Sequence, residues 1–446
     1  MAETNEIYKT MDLALRIGEL LLSSGAGAAD VSAQMDNVGR ACGLRRFSTD
    51  VTFTELAMSH QEQVDEPALI QIRQVRRRVI DYGDLTMVDH LVRDLVAGKI
   101  DREEAAARLN RIVSTAHARP RWAVMLGLGV MAAGIALSLG GNWIVVLLAF
   151  AAACCVDVIQ RYMTRMRWPG FYQQVAGGLF ATLLAQAVAA ASVDIGPSRV
   201  ITSSIFLLLA GVSFLGAVQD ALTGFPLTAG ARILEAIIAS AGIIAGVSGG
   251  LTLARVVGVG LGRLDPGAVA FASMPVAVAG AAIAAVAYAF ASYVPYRALL
   301  PVALIAAAAV AIYLAAGSGH GVGIAWASGL AALVVGLVSF SAAGRVRVPA
   351  LVIVTTAIVP LLPGLSIYRG LALFGEGDEH GLLAMVTAAA IAIALSAGVI
   401  FGQYLAQPLK REARRLESKL AGPRLVGPLT VRAVQRRRGA KGQEDR

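Results

Sequence analysis

Charged side chains are scarce in this chain of 446 residues, because only 15% are Asp, Glu, Lys or Arg, against roughly 25% in soluble globular domains. Cysteines are scarce too. There are three, and Cys154 and Cys155 are neighbours inside an apolar stretch. This spacing excludes a disulfide framework and a CxxC metal site, and we expect neither a metal nor another cofactor. Residues 1–30 lack the apolar core and cleavage site of a signal peptide, so we expect the first domain to stay in the cytoplasm.

Long apolar stretches dominate the rest of the sequence. Hydrophobic residues make up 57% of the chain and the mean hydropathy is +0.66, and a membrane-crossing helix needs roughly 20 apolar residues. We predict a polytopic α-helical membrane protein with ten transmembrane helices. The ten stretches are 122–140, 143–161, 171–191, 200–219, 228–253, 268–291, 298–316, 322–342, 348–368 and 382–405. An odd number of helices in each half predicts a five-plus-five inverted repeat, a common transporter architecture.

The charge distribution divides the chain into three domains. Residues 1–120 hold 15 Lys and Arg against 18 Asp and Glu, residues 121–407 hold 12 against 8, and residues 408–446 hold 12 against 4. We predict, in that order, a soluble cytoplasmic α+β domain, a ten-helix transporter domain and a basic, disordered cytoplasmic tail. A basic segment directly after a last helix fixes topology or contacts anionic lipid, and we expect no nucleic-acid partner.

Apolar periodicity in the first domain predicts four helices and a β-hairpin. The helices are predicted at 6–22, 30–41, 84–97 and 101–116. Asp30 is the expected N-cap of the second helix, and alternating segments at 47–59 and 69–79 predict the hairpin. Ser59 and His60 are catalytic residue types, but no nucleophile elbow, HExxH helix or phosphate loop accompanies them, so we do not expect an enzyme.

The loops between the apolar stretches favour one orientation. Lys and Arg accumulate on the cytoplasmic side of membrane proteins. With the N-terminus inside, seven arginines lie at inner ends and four at outer ends. The seven are Arg161, Arg165, Arg167, Arg232, Arg297, Arg345 and Arg347. We therefore predict a multi-pass protein of the plasma membrane, which is the inner membrane of the cell, and we expect the N- and C-termini to be cytoplasmic.

Ionisable groups within the apolar region are the first candidates for function, since a charge at membrane depth costs roughly 2.5–3.5 kcal/mol on insertion scales. Asp157 lies in the second stretch, and Asp220 ends the fourth. Thr223 follows in the loop, and Arg232 and Glu235 share one helix face at i, i+3 spacing. We expect these groups to bind substrate or protons. The alternative is that they are interfacial charges that end helices and pair with each other.

A second candidate is the proline-rich segment of the ninth stretch. Pro360, Pro363 and Gly364 fall within five residues, and prolines remove backbone hydrogen-bond donors. The carbonyl groups freed in this way are tolerated at membrane depth only inside the protein or beside a water-filled cavity. We predict that Pro363 and Gly364 belong to the substrate cavity.

Two groups of residues resemble a known family. In the first domain they are Leu20-Leu21-Leu22, Gly25, Ala26, Val31, Cys42-Gly43-Leu44 and Ser59; in the membrane region they are Gly216, Asp220, Thr223-Gly224, Arg232, Glu235, Pro363-Gly364 and Tyr368. Together they resemble the bacterial threonine/serine exporters over nearly the whole chain. The resemblance implies export of threonine and serine, driven by the proton motive force, by a ten-helix protein whose soluble domain has been likened to hydrolases. The chain departs from the family at Leu215-Gly216, where Pro-Gly is common, so we expect a broken helix only in the second half.

Two other functions stay open at this stage: export of a dicarboxylate such as succinate, and a hydrolase or sensor domain anchored by the helices. A zwitterion needs an acid for its ammonium group and a donor for its carboxylate. Asp157, Asp220 and Glu235 outnumber the inner-end cation Arg232, which favours an amino acid. The expected partners are threonine, serine, protons and membrane lipids, and the sequence leaves open whether the chain forms a homo-oligomer.

Overall fold

The structure is a computed structural model, and it is mostly helical. It describes residues 2–63, 65–75, 78–115, 119–190, 197–208, 211–258, 273–317, 323–363, 366, 370, 373 and 379–420. Gly364 and the last part of the predicted tail lie outside the described residues.

Four helices and a three-stranded antiparallel sheet lie in the part of the chain before Arg121, which is called the N-terminal domain below. The helices are α1 (Ala2–Ser23), α2 (Ala28–Ala41), α3 (Tyr82–Val96) and α4 (Arg102–Ser114), and the strands are β1 (Phe47–Val51), β2 (Glu55–His60) and β3 (Leu69–Gln74), in the order β1-β2-β3. The apolar faces of the helices meet the sheet in a core that includes Met11, Ile17, Met35, Leu56 and Met58, all buried. All four predicted helices lie at these positions.

The predicted hairpin is present, because β2 pairs antiparallel with β3, but two details of the local predictions are wrong. Segment 47–59 forms two strands, because the chain turns where the N–H and the hydroxyl of Thr52 both bond to the carbonyl of Glu55. Helix α2 begins at Ala28 with Gly27 as its N-cap, so Asp30 lies in the first turn and does not cap the helix. No side chain within α2 satisfies its N-terminus.

The remaining helices form the membrane region. They are α5 (Arg121–Ser138), α6 (Trp143–Arg165), α7 (Gly170–Ala190), α8 (Pro197–Ile205), α9 (Gly211–Leu222), α10 (Pro226–Val256), α11 (Met274–Ala291), α12 (Tyr296–Gly317), α13 (Ile324–Val346), α14 (Ala350–Ile358) and α15 (His380–Leu420). Within the described residues, α5, α6, α10, α11, α12, α13 and α15 are long and apolar enough to cross a bilayer. A polytopic helical membrane protein is thus confirmed, and the total of ten spans stays a prediction.

The other three predicted spans fall on α7, on the pair α8 and α9, and on α14. A 3₁₀ turn at Phe206–Leu208 separates α8 from α9, and a second one at Val359–Leu361 follows α14. Short 3₁₀ stretches within helices often mark functional hinges. The expectation of a broken helix in the second half alone is therefore wrong, since the first half has a break that comes before Gly216. Helix α15 also continues into the segment predicted as a disordered tail.

Helix packing is similar in the two halves of the membrane region. Helix α7 packs along α10, and α13 packs along α15. In both pairs, glycines bring the two backbones into direct contact, at Gly178 and Gly246 in the first half and at Gly336 and Gly402 in the second. Small residues at helix crossings permit this approach.

The N-terminal domain packs against one end of the membrane region. It contacts the start of α10, the α11–α12 loop and the α13–α14 loop. The hydrogen bonds run from Thr228 Oγ1 to the Val51 carbonyl (3.5 Å), from the Tyr82 N–H to the Ser292 carbonyl (3.0 Å) and from His90 Nε2 to the Arg347 carbonyl (2.9 Å). All three contact regions are predicted to face the cytoplasm, so the domain and the arginine-rich loops share one end of the molecule.

Candidate functional site

A buried ion pair joins the membrane helices to the N-terminal domain. Asp220, near the end of α9, is 1% exposed, and its Oδ2 lies 3.2 Å from Nη1 of Arg232 on α10. Its Oδ1 accepts a hydrogen bond from the N–H of Ala28 (2.9 Å), and Arg232 Nη2 donates to the carbonyl of Ala26 (3.2 Å). Asp220 therefore supplies the acceptor that Gly27 cannot provide, and a negative charge at a helix N-terminus is favourable.

Gly216 leaves space for this ion pair. It lies one turn before Asp220 on α9, and a Cβ added to it would lie 2.6 Å from Nη1 of Arg232. The guanidinium would have to move to accommodate a side chain there. The present position of the Arg232 guanidinium in the ion pair thus depends on a glycine at this position.

A cavity of about 930 Å³, called the main cavity below, lies between the membrane helices and the N-terminal domain. Both interrupted helices contribute to its wall, together with parts of α7, α10 and α11. The N-terminal domain contributes Leu22, Ser23, Gly25, Gly27, Phe53, Arg78, Ile80 and Tyr82. The charged side chains in the described lining are Arg78, Arg232 and Glu235. The volume falls within the range of roughly 300–1,000 Å³ that is typical of small-molecule sites.

Arg78 is the cation that the N-terminal domain places in the main cavity. Its guanidinium carbon lies 3.4 Å from the centre of the Phe53 ring, and its Nη2 donates to the Phe53 carbonyl. Burial lowers the pKa of Arg78 to about 10, and the charge of Arg232 acts in the same direction while Glu235 and Asp220 oppose it. The side chain stays protonated at neutral pH.

A second cavity, of about 320 Å³, lies where the two domains meet and is acidic. Asp30, Asp89 and Asp220 are in its lining. Asp30 keeps part of its surface exposed, but loss of solvation at the cavity raises its pKa, and the charges of Asp220 and Asp89 raise it further. Burial also raises the pKa of Asp89, although the nearby Arg93, whose Nη2 lies 2.8 Å from the carboxylate, lowers it in part. Asp220 thus borders the second cavity, and its partner Arg232 borders the main one.

The structure brings together part of the predicted site. Arg232 pairs with Asp220 and not with Glu235, although both predicted partners are near. Glu235 is an exposed side chain in the wall of the main cavity, with no ion pair or hydrogen bond to any described residue. Thr223 borders the second cavity, and its hydroxyl donates to the carbonyl of Gln219 (2.9 Å).

The other predicted site residues lie apart from this group. Asp157 pairs with Arg161 one turn further along α6, and it is in the described lining of neither cavity. Pro363 is buried directly after Leu362, which does line the main cavity. Gly364 lies outside the described residues, so its predicted role stays a prediction.

Sequence reasoning missed Arg78 and the amide of Ala28. The sequence signal for Arg78 is a run of three arginines, Arg76-Arg77-Arg78, directly before the apolar Val79 and Ile80. The N–H of Val79 donates to the carbonyl of Ser23 (3.0 Å), which holds this segment against the end of α1. No pattern in the sequence marks the amide, because any residue except proline at the first position of α2 would offer one.

Known proteins match the chain over both of its parts. A family model described as "Putative threonine/serine exporter" matches residues 12–254, and one described as "Threonine/Serine exporter, ThrE" matches residues 277–405. The chain is 34% identical over 451 residues to the "Probable threonine/serine exporter" of Mycobacterium tuberculosis, covering 98% of this chain and 84% of that protein. It is 30% identical over 421 residues to the "Threonine/serine exporter" of Corynebacterium glutamicum, covering 93% of this chain and 86% of that protein. No solved structure matches the chain.

Proposed function

Since this chain belongs to the threonine/serine exporter family, we propose that it moves threonine and serine out of the cytoplasm through the main cavity, driven by the proton motive force. One observation carries the proposal: a cavity of small-molecule size is lined by both interrupted helices and by α10. Irregular backbone at membrane depth is tolerated beside such cavities. Transporters commonly place their substrate sites at discontinuous helices.

The similar packing of the two halves supports alternating access. The third and fifth helices of each predicted half meet through paired glycines, and the fourth helix of each half is interrupted. A five-plus-five inverted repeat has these features, because each half repeats the same contacts. The halves would rock against each other around the main cavity, which opens in turn to the two sides of the membrane.

Asp220 is the proposed proton carrier. Protonation would remove its charge, break the ion pair with Arg232 and weaken the acceptor that holds the N-terminus of α2. Proton binding would thereby loosen the contact between the N-terminal domain and the membrane helices. Asp157 is the weaker candidate, because it pairs with Arg161 within α6 and borders neither cavity in the described residues.

The charge balance of the main cavity favours an amino acid over a dicarboxylate. Two arginines and one glutamate line the described part of the cavity, and Asp220 neutralises one of the arginines. What remains is one positive and one negative side chain, which matches a zwitterion. A dianion would place a second carboxylate near Glu235 and would lack a second cation.

The hydrolase alternative finds little support around Ser59. The hydroxyl of Ser59 lies 2.9 Å from that of Ser48, across the β1–β2 ladder, and among the described residues it makes no hydrogen bond to a base that could activate it. The relatives are named as exporters and not as enzymes. A role of the N-terminal domain in transport accounts for its hydrogen bonds to α9, α10 and the loops at the same end of the membrane region.

Efflux from cells tests the proposal. Cells that express the protein would be preloaded with a threonine-containing dipeptide, and threonine, serine and succinate would be measured in the medium with and without a protonophore. The expected result is release of threonine and serine that the protonophore abolishes. Release of succinate without an amino-acid signal would reject the proposal in favour of the dicarboxylate function, and amino-acid release insensitive to the protonophore would indicate a passive channel.

The same assay tests the proton carrier. Asp220→Asn should reach the membrane at a normal level but lose protonophore-sensitive export, since Asn cannot change its charge. Asp157→Asn is the matched variant, because it neutralises an aspartate that lies outside both described cavity linings, and its export should resemble that of the unmodified protein. Normal efflux from Asp220→Asn would remove Asp220 from the mechanism.

A further inference from the structure

We propose that the N-terminal domain supplies part of the substrate site, with Arg78 binding the carboxylate of the amino acid and Glu235 binding its ammonium group. This inference rests on the proposed function and adds specific roles to it. It also assigns the soluble domain a direct part in substrate recognition.

The position and bonding of Arg78 suit carboxylate binding. Arg78 lines the main cavity, and its guanidinium lies over the Phe53 ring and donates to that residue's carbonyl group from Nη2. These two contacts fix the plane of the guanidinium. A guanidinium has five N–H donors in a planar fork that matches the two oxygens of a carboxylate. No ion pair joins Arg78 to an acidic group among the described residues, so donors remain for a substrate.

Glu235 is the complementary group on the membrane side. It lies three residues after Arg232 on α10 and lines the same cavity, but Arg232 is occupied by Asp220. Glu235 and Arg78 line the same cavity, and the charge of Glu235 raises the pKa of the Arg78 guanidinium. They make no direct ion pair with each other. A carboxylate and a guanidinium held apart in one cavity are the pattern that a bound zwitterion would bridge.

This arrangement also makes binding depend on domain contact. Arg78 reaches the cavity only while segment 78–80 stays bonded to the end of α1 and the domain stays on the membrane helices. Release of the domain would remove the carboxylate-binding group from the cavity. Substrate affinity should therefore fall when the domain moves away.

Transport by the purified full-length protein in liposomes tests these roles. Labelled threonine uptake would be competed by threoninol, which lacks the carboxylate, and by 3-hydroxybutyrate, which lacks the ammonium group. Loss of a charge-assisted hydrogen bond weakens binding by about 10- to 100-fold. R78Q should raise the KM for threonine by that factor with a smaller change in kcat, and it should lose the preference for threonine over threoninol. E235Q should instead lose the preference for threonine over 3-hydroxybutyrate.

Two further variants distinguish a loss of substrate recognition from a general loss of protein stability. R40Q neutralises an arginine of α2 that is exposed and pairs with Asp36 on its own helix, and it should leave KM and both preferences unchanged. R78K keeps the charge but not the planar fork, so KM should rise about tenfold while the preference over threoninol is retained. If R78Q does not fold, R78K decides, and an unchanged KM in R78K overturns the assignment.

The outcomes distinguish this inference from the proposed function. Threonine transport by the unmodified protein, with the same KM and the same analogue preferences in a folded R78Q, would overturn the role of Arg78 while the exporter function stands. Unmodified protein that moves neither threonine nor serine would overturn both. The assignment of Arg78 is supported if R78Q changes only the preference over threoninol. The assignment of Glu235 is supported if E235Q changes only the preference over 3-hydroxybutyrate.

Discussion

The ion pair between Asp220 and Arg232 should control how firmly the N-terminal domain is held. Asp220 is 1% exposed and Arg232 is 8% exposed, and removing one partner of a buried pair typically costs about 3–5 kcal/mol because the other charge is left uncompensated. Asp220→Asn keeps an oxygen for the N–H of Ala28, so it tests the charge alone. Because the pair lies between the domains, we expect the cost to fall on domain contact and not on insertion of the helices.

Hydrogen exchange at the start of α2 measures this cost. The Ala28 amide is protected by Asp220, and its exchange reports the local free energy of opening. Asp220→Asn and Arg232→Met should each reduce protection by roughly 100-fold or more, which corresponds to about 3 kcal/mol. The double variant leaves no unpaired charge, so its free energy of opening should fall less than in either single variant. We expect a fall of about 1–2 kcal/mol, because the Ala26 carbonyl loses the hydrogen bond from Arg232. Losses that simply add would refute the view that the two side chains act as a pair.

Two other variants test packing and titration. Gly246→Ala should destabilise the contact between α7 and α10 by about 1–3 kcal/mol, because the new Cβ would overlap the Val175 carbonyl, whereas Gly249→Ala on the same helix has nothing within 4 Å and should be harmless in a thermal-unfolding assay. Asp30→Asn should strengthen domain contact at neutral pH. Because the pKa of Asp30 is raised in the folded protein, its protonated form stabilises the protein. This contribution to stability is complete below the ordinary pKa of 3.8 and is lost as the pH rises through the raised pKa. Hydrogen exchange from pH 4 to 8 should show a larger loss in the unmodified protein than in the variant, in which Asp89 still has a raised pKa, and identical pH profiles would contradict the argument.

Local patterns in the sequence predicted the helices well and their contacts poorly. Apolar runs identify membrane helices because every residue of such a run has to avoid water, and this requirement is local. The four helices of the N-terminal domain follow from the same kind of signal. The failed prediction at Asp30 had a local basis too, since Asp is a common N-cap. The helix uses an acceptor that lies 192 residues further along the chain, and no local pattern reports such a distance.

In the candidate site, too, local sequence patterns identified residues but not the contacts between them. Asp220 and Arg232 could be selected from the sequence because charges are costly in apolar surroundings. Their pairing could not, because spacing along α10 suggests Glu235 as the partner of Arg232 while the fold brings Asp220 closer. Arg78 lies in a polar domain, where an arginine is unremarkable, and it becomes a candidate only when the fold places it in a membrane cavity.

In the proposed mechanism, the contacts of Asp220 connect proton binding to substrate binding through one carboxylate. Its two oxygens hold different parts of the molecule, since Oδ1 holds the start of α2 and Oδ2 holds Arg232 in the wall of the main cavity. With Asp220 charged, the domain is held in place and Arg78 lies in the cavity. With Asp220 protonated, both contacts weaken together, and the cavity loses the group proposed to bind the carboxylate. A proton taken up at Asp220 would therefore lower substrate affinity, and by linkage a bound amino acid would favour the charged form of Asp220. Competition of this kind between proton and substrate is what an antiport cycle requires.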